Sequence, residues 1–118
     1  MLTLNPDQLG DAAQLRFESR LAALIAQGQP EAAAELESPE GRAMLRRQCR
    51  RAERYGLRTE LELARYVITA WLMGPQFDEE LPAMAEILNA PSLTPAQKAE
   101  AIERVASTVL EQLSQGRT

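Results

Sequence analysis

Apolar residues recur along this chain at the spacing of an α-helix, and prolines and glycines divide them into segments. One such run covers 9–25 and stops before Gly28 and Pro30. The most apolar run covers 61–73, where apolar side chains continue nearly all round the helix, as in a central, buried one. A third long run covers 95–113. The pattern predicts long helices at all three places.

Capping residues mark where several helices begin. A capping box pairs a side-chain oxygen with a Glu or Gln three residues later, and together they satisfy the free N–H groups of the first turn. Boxes of this kind begin at Asn5, Thr59 and Thr94. Turn residues delimit the remaining predicted helices, at 31–37, 39–55 and 82–88.

Composition supports a helical fold. Aromatic residues make up 4% of the 118 residues, β-branched residues are sparse, and no alternating strand pattern occurs. A chain of this length can bury a core without a metal ion or a disulfide. We therefore predict an all-α fold, a compact bundle of five or six helices forming a single domain over 1–118, with loose ends at about 1–4 and 114–118.

The histidine and cysteine content limits which catalytic and metal sites the chain can form. The chain has no histidine and a single cysteine, so it cannot build a Ser-His-Asp triad, an imidazole zinc site or an internal disulfide. We expect no enzymatic activity, no metal and no cofactor. No apolar run approaches a membrane span, and Met1–Gly10 lacks the features of a signal peptide, so we expect a cytoplasmic protein with no membrane partner.

Charge is distributed very unevenly. The net charge is −4, yet seven of the thirteen basic residues fall between Arg42 and Arg58, with Glu53 as the one acid among them. All seven are arginines: Arg42, Arg46, Arg47, Arg50, Arg51, Arg54 and Arg58. On a helix turning by about 100° per residue, they occupy one half of the circumference, and Cys49 lies on the apolar half, predicted to face the core.

Three interpretations of this arginine half are open. Its guanidinium groups could pair with acids of the same chain, dock an acidic protein surface, or bind nucleic acid. The predicted helices 39–55 and 59–73 superficially resemble a helix-turn-helix, but the second is too apolar to read base edges. Phe77, in a predicted loop, is a candidate anchor for that loop or for a partner.

Part of the chain resembles a group of small bacterial proteins with the pattern R-A-x-x-Y-G-[IL]-x-x-E, then L-G-x-x-F-D, then A-x-x-I-L. The resemblance covers roughly 45–93 and rests on Arg51–Glu60, Ala64–Tyr66, Gly74–Asp78 and Ala85–Leu88. Members are typically encoded beside type VI secretion spike, PAAR and effector genes. Some act as co-chaperones that help a larger effector adaptor to load a toxin onto the spike.

The resemblance implies a small cytoplasmic accessory protein that binds an effector adaptor, an effector or a PAAR protein. From the charge distribution, we expect the seven arginines to form the leading contact surface. The resemblance brings no catalytic residues. Arg20 and Ala83-Met84 depart from the pattern, at positions where a histidine and Pro-Trp are common. The alternatives are an immunity protein that blocks a cognate toxin and, second, a nucleic-acid-binding regulator. A homodimer is also compatible with the sequence.

Overall fold

The computed structural model describes residues 6–115, and their side chains from residue 12 onward. Every secondary-structure element in that range is helical, which confirms the predicted all-α class. The described residues form seven α-helices and one 3-10 turn, in the order α1 Pro6–Gly28, the turn Pro30–Ala32, α2 Ala33–Glu37, α3 Pro39–Arg54, α4 Glu60–Met73, α5 Phe77–Glu80, α6 Pro82–Leu88 and α7 Pro95–Gln115. The four-residue helix α5 lies where the sequence predicts a loop containing Phe77.

The chain contains two compact units, and the boundary between them falls inside α3, between Arg46 and Arg47. The first unit includes α1, the 3-10 turn, α2 and the first turns of α3. The second includes the last turns of α3 and helices α4 to α7. In the first unit α1 packs against α2, and in the second α4 and α6 both pack against α7.

A single residue, Ser38, joins α2 to α3 in the first unit. The Ser38 hydroxyl donates to the Glu35 carbonyl oxygen at 2.6 Å and accepts from the Gly41 N–H at 3.1 Å. It thus closes one helix and caps the next. Because the junction is so short, the backbones come very close, and a Cβ atom on Gly41 would collide with the Glu35 carbonyl.

The helices of the second unit begin and end at the capping residues and glycines that the sequence predicts. Thr59 and Glu62 form the predicted capping box of α4, and Thr94 forms another with Gln97 at the start of α7. Gly56 after α3 and Gly74 after α4 have φ angles of +89° and +115°, which L side chains rarely adopt. The box predicted at Asn5 lies outside the described residues. Helix α7 continues through Ser114 and Gln115.

The core of the second unit is built around Tyr66 and Phe77, which are 0% and 1% exposed. Their rings are tilted by 55°, with centroids 4.9 Å apart. The expected central, buried position of α4 holds for one side of the helix only, because Leu61 and Leu72 are 60% and 40% exposed. These leucines are eleven residues apart and share one face, so α4 has an outer side. Apolar pattern alone did not distinguish it.

Candidate functional site

The structure divides the seven arginines into a group that makes ion pairs with acids of the chain and a group that is exposed. Around α3, Arg42 and Arg46 lie at one edge of the arginine half, Arg51 lies at the other, and the rest of the helical arginines lie between them. The edge arginines make ion pairs inside the chain. The middle arginines are exposed. Internal pairing and an open surface therefore coexist on one helix.

Arg46 is held by a buried carboxylate in the first unit. Its Nε and Nη2 atoms donate to Oε2 and Oε1 of Glu18, each at 3.0 Å, and Gln14 Nε2 also donates to Oε2 at 3.0 Å. Glu18 is fully buried in α1, whereas the Arg46 side chain is 40% exposed. A buried carboxylate needs such donors, because an unpaired charge there would be very unfavourable. Arg42 makes a more exposed pair, with Glu37 at 3.0 Å.

Arg51 belongs to a second cluster, in the second unit. Its Nη2 atom donates to both carboxylate oxygens of Asp78 at 2.7 Å, and the Tyr55 hydroxyl donates to Oδ2 at 2.7 Å. Asp78 is 2% exposed and lies in α5. The exposed Glu79 lies 3.3 Å from the same guanidinium. This cluster fastens the end of α3 to α5.

Arg51, Tyr55 and Asp78 each keep a single protonation state near neutral pH, because their pKa values are shifted away from it. Burial by itself would raise the pKa of Asp78, but hydrogen bonds from Tyr55 and Arg51, with the charge of Arg51, hold that pKa below its usual range. Burial and the hydrogen bond to Asp78 raise the pKa of Tyr55 to about 12. Burial, and then the negative charge of Asp78, raises the pKa of Tyr66. The cluster is suited to holding structure rather than to transferring protons.

Two further contacts hold the last turns of α3. Gln48 is buried, and its Nε2 atom donates to the Pro75 carbonyl oxygen at 3.1 Å. Lys98 Nζ, from α7, donates to the Tyr55 carbonyl oxygen at 3.3 Å, where a cation also opposes the negative end of the α3 dipole. Together with the Asp78 cluster, these contacts give the second half of α3 a defined position in its unit.

The residues of the bacterial sequence pattern have structural roles in this fold. Arg51 and Tyr55 come from its first part and Phe77 and Asp78 from its second, and the structure brings all four together around Tyr66. Phe77 is buried, so its ring packs inside the protein rather than facing a partner. Cys49 is also buried, as the helical wheel predicts.

The open part of the arginine half is formed by four residues, named here the arginine row: Arg47, Arg50, Arg54 and Arg58. All four are exposed, and none forms an ion pair within 4.0 Å with any of the side chains that the structure describes, those of residues 12–115. The row lies entirely in the second unit. Its nearest acid in sequence, Glu53, is exposed as well.

Sequence reasoning missed Glu18 and the structural role of Asp78. Glu18 has a signal that could have been used, because it follows Phe17 and precedes Leu21 on the inner, apolar stripe of α1. A charged residue at such a position needs a partner. Asp78 has no comparable signal, because it stands in an acidic run with two exposed glutamates. Only the packing of α5 separates it from them.

We expect glutamine substitutions to separate the two groups of arginines. Arg51→Gln should lower the free energy of unfolding by about 2–3 kcal/mol, because it leaves the buried Asp78 without its charged donor. Arg47→Gln and Arg50→Gln should each change the free energy of unfolding by less than about 0.5 kcal/mol. We expect a small increase, because each substitution removes repulsion between like charges three and four residues apart. Urea denaturation of each single variant measures this. Similar losses at Arg50 and Arg51 would contradict the division.

No group of three or more Cys, His, Asp or Glu side chains able to hold a metal occurs within the described residues. None of the helices described is long and apolar enough to cross a membrane. Comparison of the chain with protein-family models, curated proteins and solved structures gives no match.

Proposed function

We propose that this chain is a small, non-enzymatic accessory protein of bacterial type VI secretion, working in the cytoplasm. It binds an effector adaptor, an effector or a PAAR protein and helps to load the effector. The observation that carries the binding role is the arginine row, four exposed guanidinium groups without an internal partner among the described residues. The link to secretion is the resemblance carried by Arg51–Glu60 and Gly74–Asp78.

The contrast between the two arginine groups supports binding through the row. Helix α3 satisfies its edge arginines with buried or nearby acids and leaves the middle ones open. Several like charges on one helix face lower its stability through repulsion. Proteins retain such unfavourable groups where they serve binding. Arginine suits a protein partner because its planar fork makes two parallel hydrogen bonds to a carboxylate.

The mechanism in this proposal is stoichiometric. The row meets an acidic surface of the client, and burial of that surface stabilises a complex ready for loading. Charge complementarity between the exposed arginine row and an acidic surface speeds association and selects the partner more than it adds affinity. The resemblance-bearing residues Arg51, Tyr55 and Asp78 act indirectly, because they hold the helix that presents the row.

Native co-purification from the source bacterium tests this proposal. The tagged parent protein is expected to recover a secretion adaptor, effector or PAAR protein, and Arg50→Glu/Arg54→Glu should reduce that recovery at least about tenfold, because two contacts become repulsive. The matched control is Arg16→Glu/Arg104→Glu, which changes net charge equally at two exposed arginines outside the row. Arg46 stays unaltered, since its reversal would bring a second carboxylate to the buried Glu18.

Each alternative gives a different result in the same experiment. An immunity protein would recover a toxin and inhibit it. A nucleic-acid regulator would bind duplexes of unrelated sequence with an affinity that falls steeply with salt. Recovery of no secretion component, or equal loss in the row and control variants, would overturn the proposal.

A further inference from the structure

The arginine row has a defined spacing along α3. Arg47, Arg50 and Arg54 are three and four residues apart, so at about 1.5 Å per residue their Cα atoms rise by about 4.5 and 6 Å along the helix axis. At about 100° per residue, they lie within about 60° of one another around it. They form a nearly straight line parallel to the axis, and Arg58 follows just beyond the end of the helix.

This line lies on the second half of α3, whose position within the second unit is set by hydrogen bonds. The turns that carry it are fastened by Asp78 to Arg51, by Tyr55 to Asp78, and by Gln48 to the Pro75 carbonyl. A surface held in its binding geometry loses less entropy when a partner docks. The long arginine side chains adjust locally, while the line itself stays straight.

We propose that the arginine row binds an acidic face of an α-helix in the partner protein. An antiparallel helix with carboxylates at i, i+4 and i+7 repeats the spacing of Arg54, Arg50 and Arg47, because both helices rise by the same amount per residue. A β-strand instead places its same-face side chains about 6.7 Å apart at every step, so it falls out of register. The inference rests on the proposed function, because it specifies the partner of the same surface.

Protein carboxylates fit this surface better than phosphates. The exposed positions of the row carry arginine alone, without aromatic side chains on which bases could stack. Outside the 42–58 segment the chain is strongly acidic, which repels an extended polyanion more than it repels a short helix. A compact acidic helix can meet the row and avoid the remaining negative surface.

Two synthetic peptides of about 20 alanine-rich residues, long enough to form helices, test the inference. They have the same composition and charge. One carries glutamates at i, i+4 and i+7, and the other carries them on three different helix faces. In NMR titrations of the full chain, the patterned peptide should bind about tenfold more tightly, since each additional exposed ion pair contributes a small gain. Its shift changes should map to 47–58.

A charge exchange provides the stricter test. The variant Arg47→Glu/Arg50→Glu/Arg54→Glu should no longer bind the patterned glutamate peptide. It should instead bind a peptide that carries lysines at i, i+4 and i+7. The variant Arg47→Gln/Arg50→Gln/Arg54→Gln should bind neither. Equal binding of the patterned and scrambled glutamate peptides would overturn the inference. So would a DNA duplex that displaces the patterned peptide at equal charge concentration.

The two proposals fail separately. If a secretion adaptor co-purifies through the row but the peptide pattern has no effect, the proposed function holds and the acidic helix is wrong. If the pattern is recognised but no secretion component is recovered, the acidic helix holds and the secretion role is wrong.

Discussion

Asp78→Ala is expected to lower the free energy of unfolding by about 3 kcal/mol, because it removes the shared acceptor of a buried cluster. The Arg51 guanidinium loses both of its 2.7 Å contacts to that carboxylate, and the Tyr55 hydroxyl loses its acceptor. The mutation also cuts the tie between the end of α3 and α5. Urea denaturation at pH 7, followed by circular dichroism, measures the loss.

Glu79→Ala is the matched control for this cluster. Glu79 follows Asp78 and lies 3.3 Å from the same guanidinium, but its side chain is 67% exposed. Its removal should change the free energy of unfolding by less than about 0.5 kcal/mol, because solvent screens an exposed pair. Comparable losses in the two variants would show that proximity to Arg51, rather than the buried hydrogen-bond network, determines stability.

The pH dependence of stability in the parent protein and in an Asp78→Asn variant gives a second readout of the same cluster. The pKa of Asp78 is lowered in the folded protein, whereas the pKa of an aspartate in an unfolded chain is about 3.9. Stability from its ionised form is therefore complete above about pH 5 and declines as pH falls through the folded pKa. The difference in free energy of unfolding between the parent protein and Asp78→Asn should stay constant from neutral pH to about pH 5, then shrink. A difference that grows on acidification would contradict this assignment.

Gly41→Ala is expected to lower the free energy of unfolding by about 2–3 kcal/mol, although helix propensity alone predicts a gain of about 1 kcal/mol. Gly41 lies in the first turn of α3, where its Cα faces the end of α2. A Cβ atom there would collide with the Glu35 carbonyl, and it would also lie 3.0 Å from the Leu36 Cα. Both neighbours are backbone, so the one-residue Ser38 junction would have to shift. Thermal and urea denaturation measure the loss.

Gly28→Ala provides the comparison within the first unit. Gly28 is the last residue of α1, and a Cβ atom there would meet nothing within 4 Å. Alanine should therefore leave the free energy of unfolding unchanged or raise it by about 0.5 kcal/mol, through its smaller entropy cost in a helix. If Gly41→Ala is as well tolerated as Gly28→Ala, the approach of α2 and α3 is looser than the structure indicates.

The long helices were predictable because their signals are local. Capping boxes at Thr59 and Thr94 and glycines at positive φ act within a few residues, so the chain specifies those boundaries without reference to the rest of the fold. Helix α5 was not predicted as a separate helix. A four-residue helix has no periodicity to detect, and its position depends on burial of Phe77 and on the ion pair of Asp78.

The sequence predicts the group of arginines that forms the candidate site, but not the role of each arginine. Helical periodicity places the α3 arginines on one half of a helix, but it does not tell which of them meets an acid. Glu18 is 28 residues from Arg46 in sequence, and Asp78 is 27 residues from Arg51. Pairings across such separations depend on which helices pack together within each unit. The division into held and open arginines therefore appears only in three dimensions.

The sequence by itself determined the all-α class, most of the helix boundaries and the concentration of arginine on α3, since each depends on residues a few positions apart. The tertiary structure decided that Arg46 and Arg51 are internal partners, that Gly41 permits a close backbone approach, and that the arginine row stays open. The physical reason is the same in each case. Burial makes an unpaired charge or an extra methyl group costly, and burial is a property of packing rather than of local sequence.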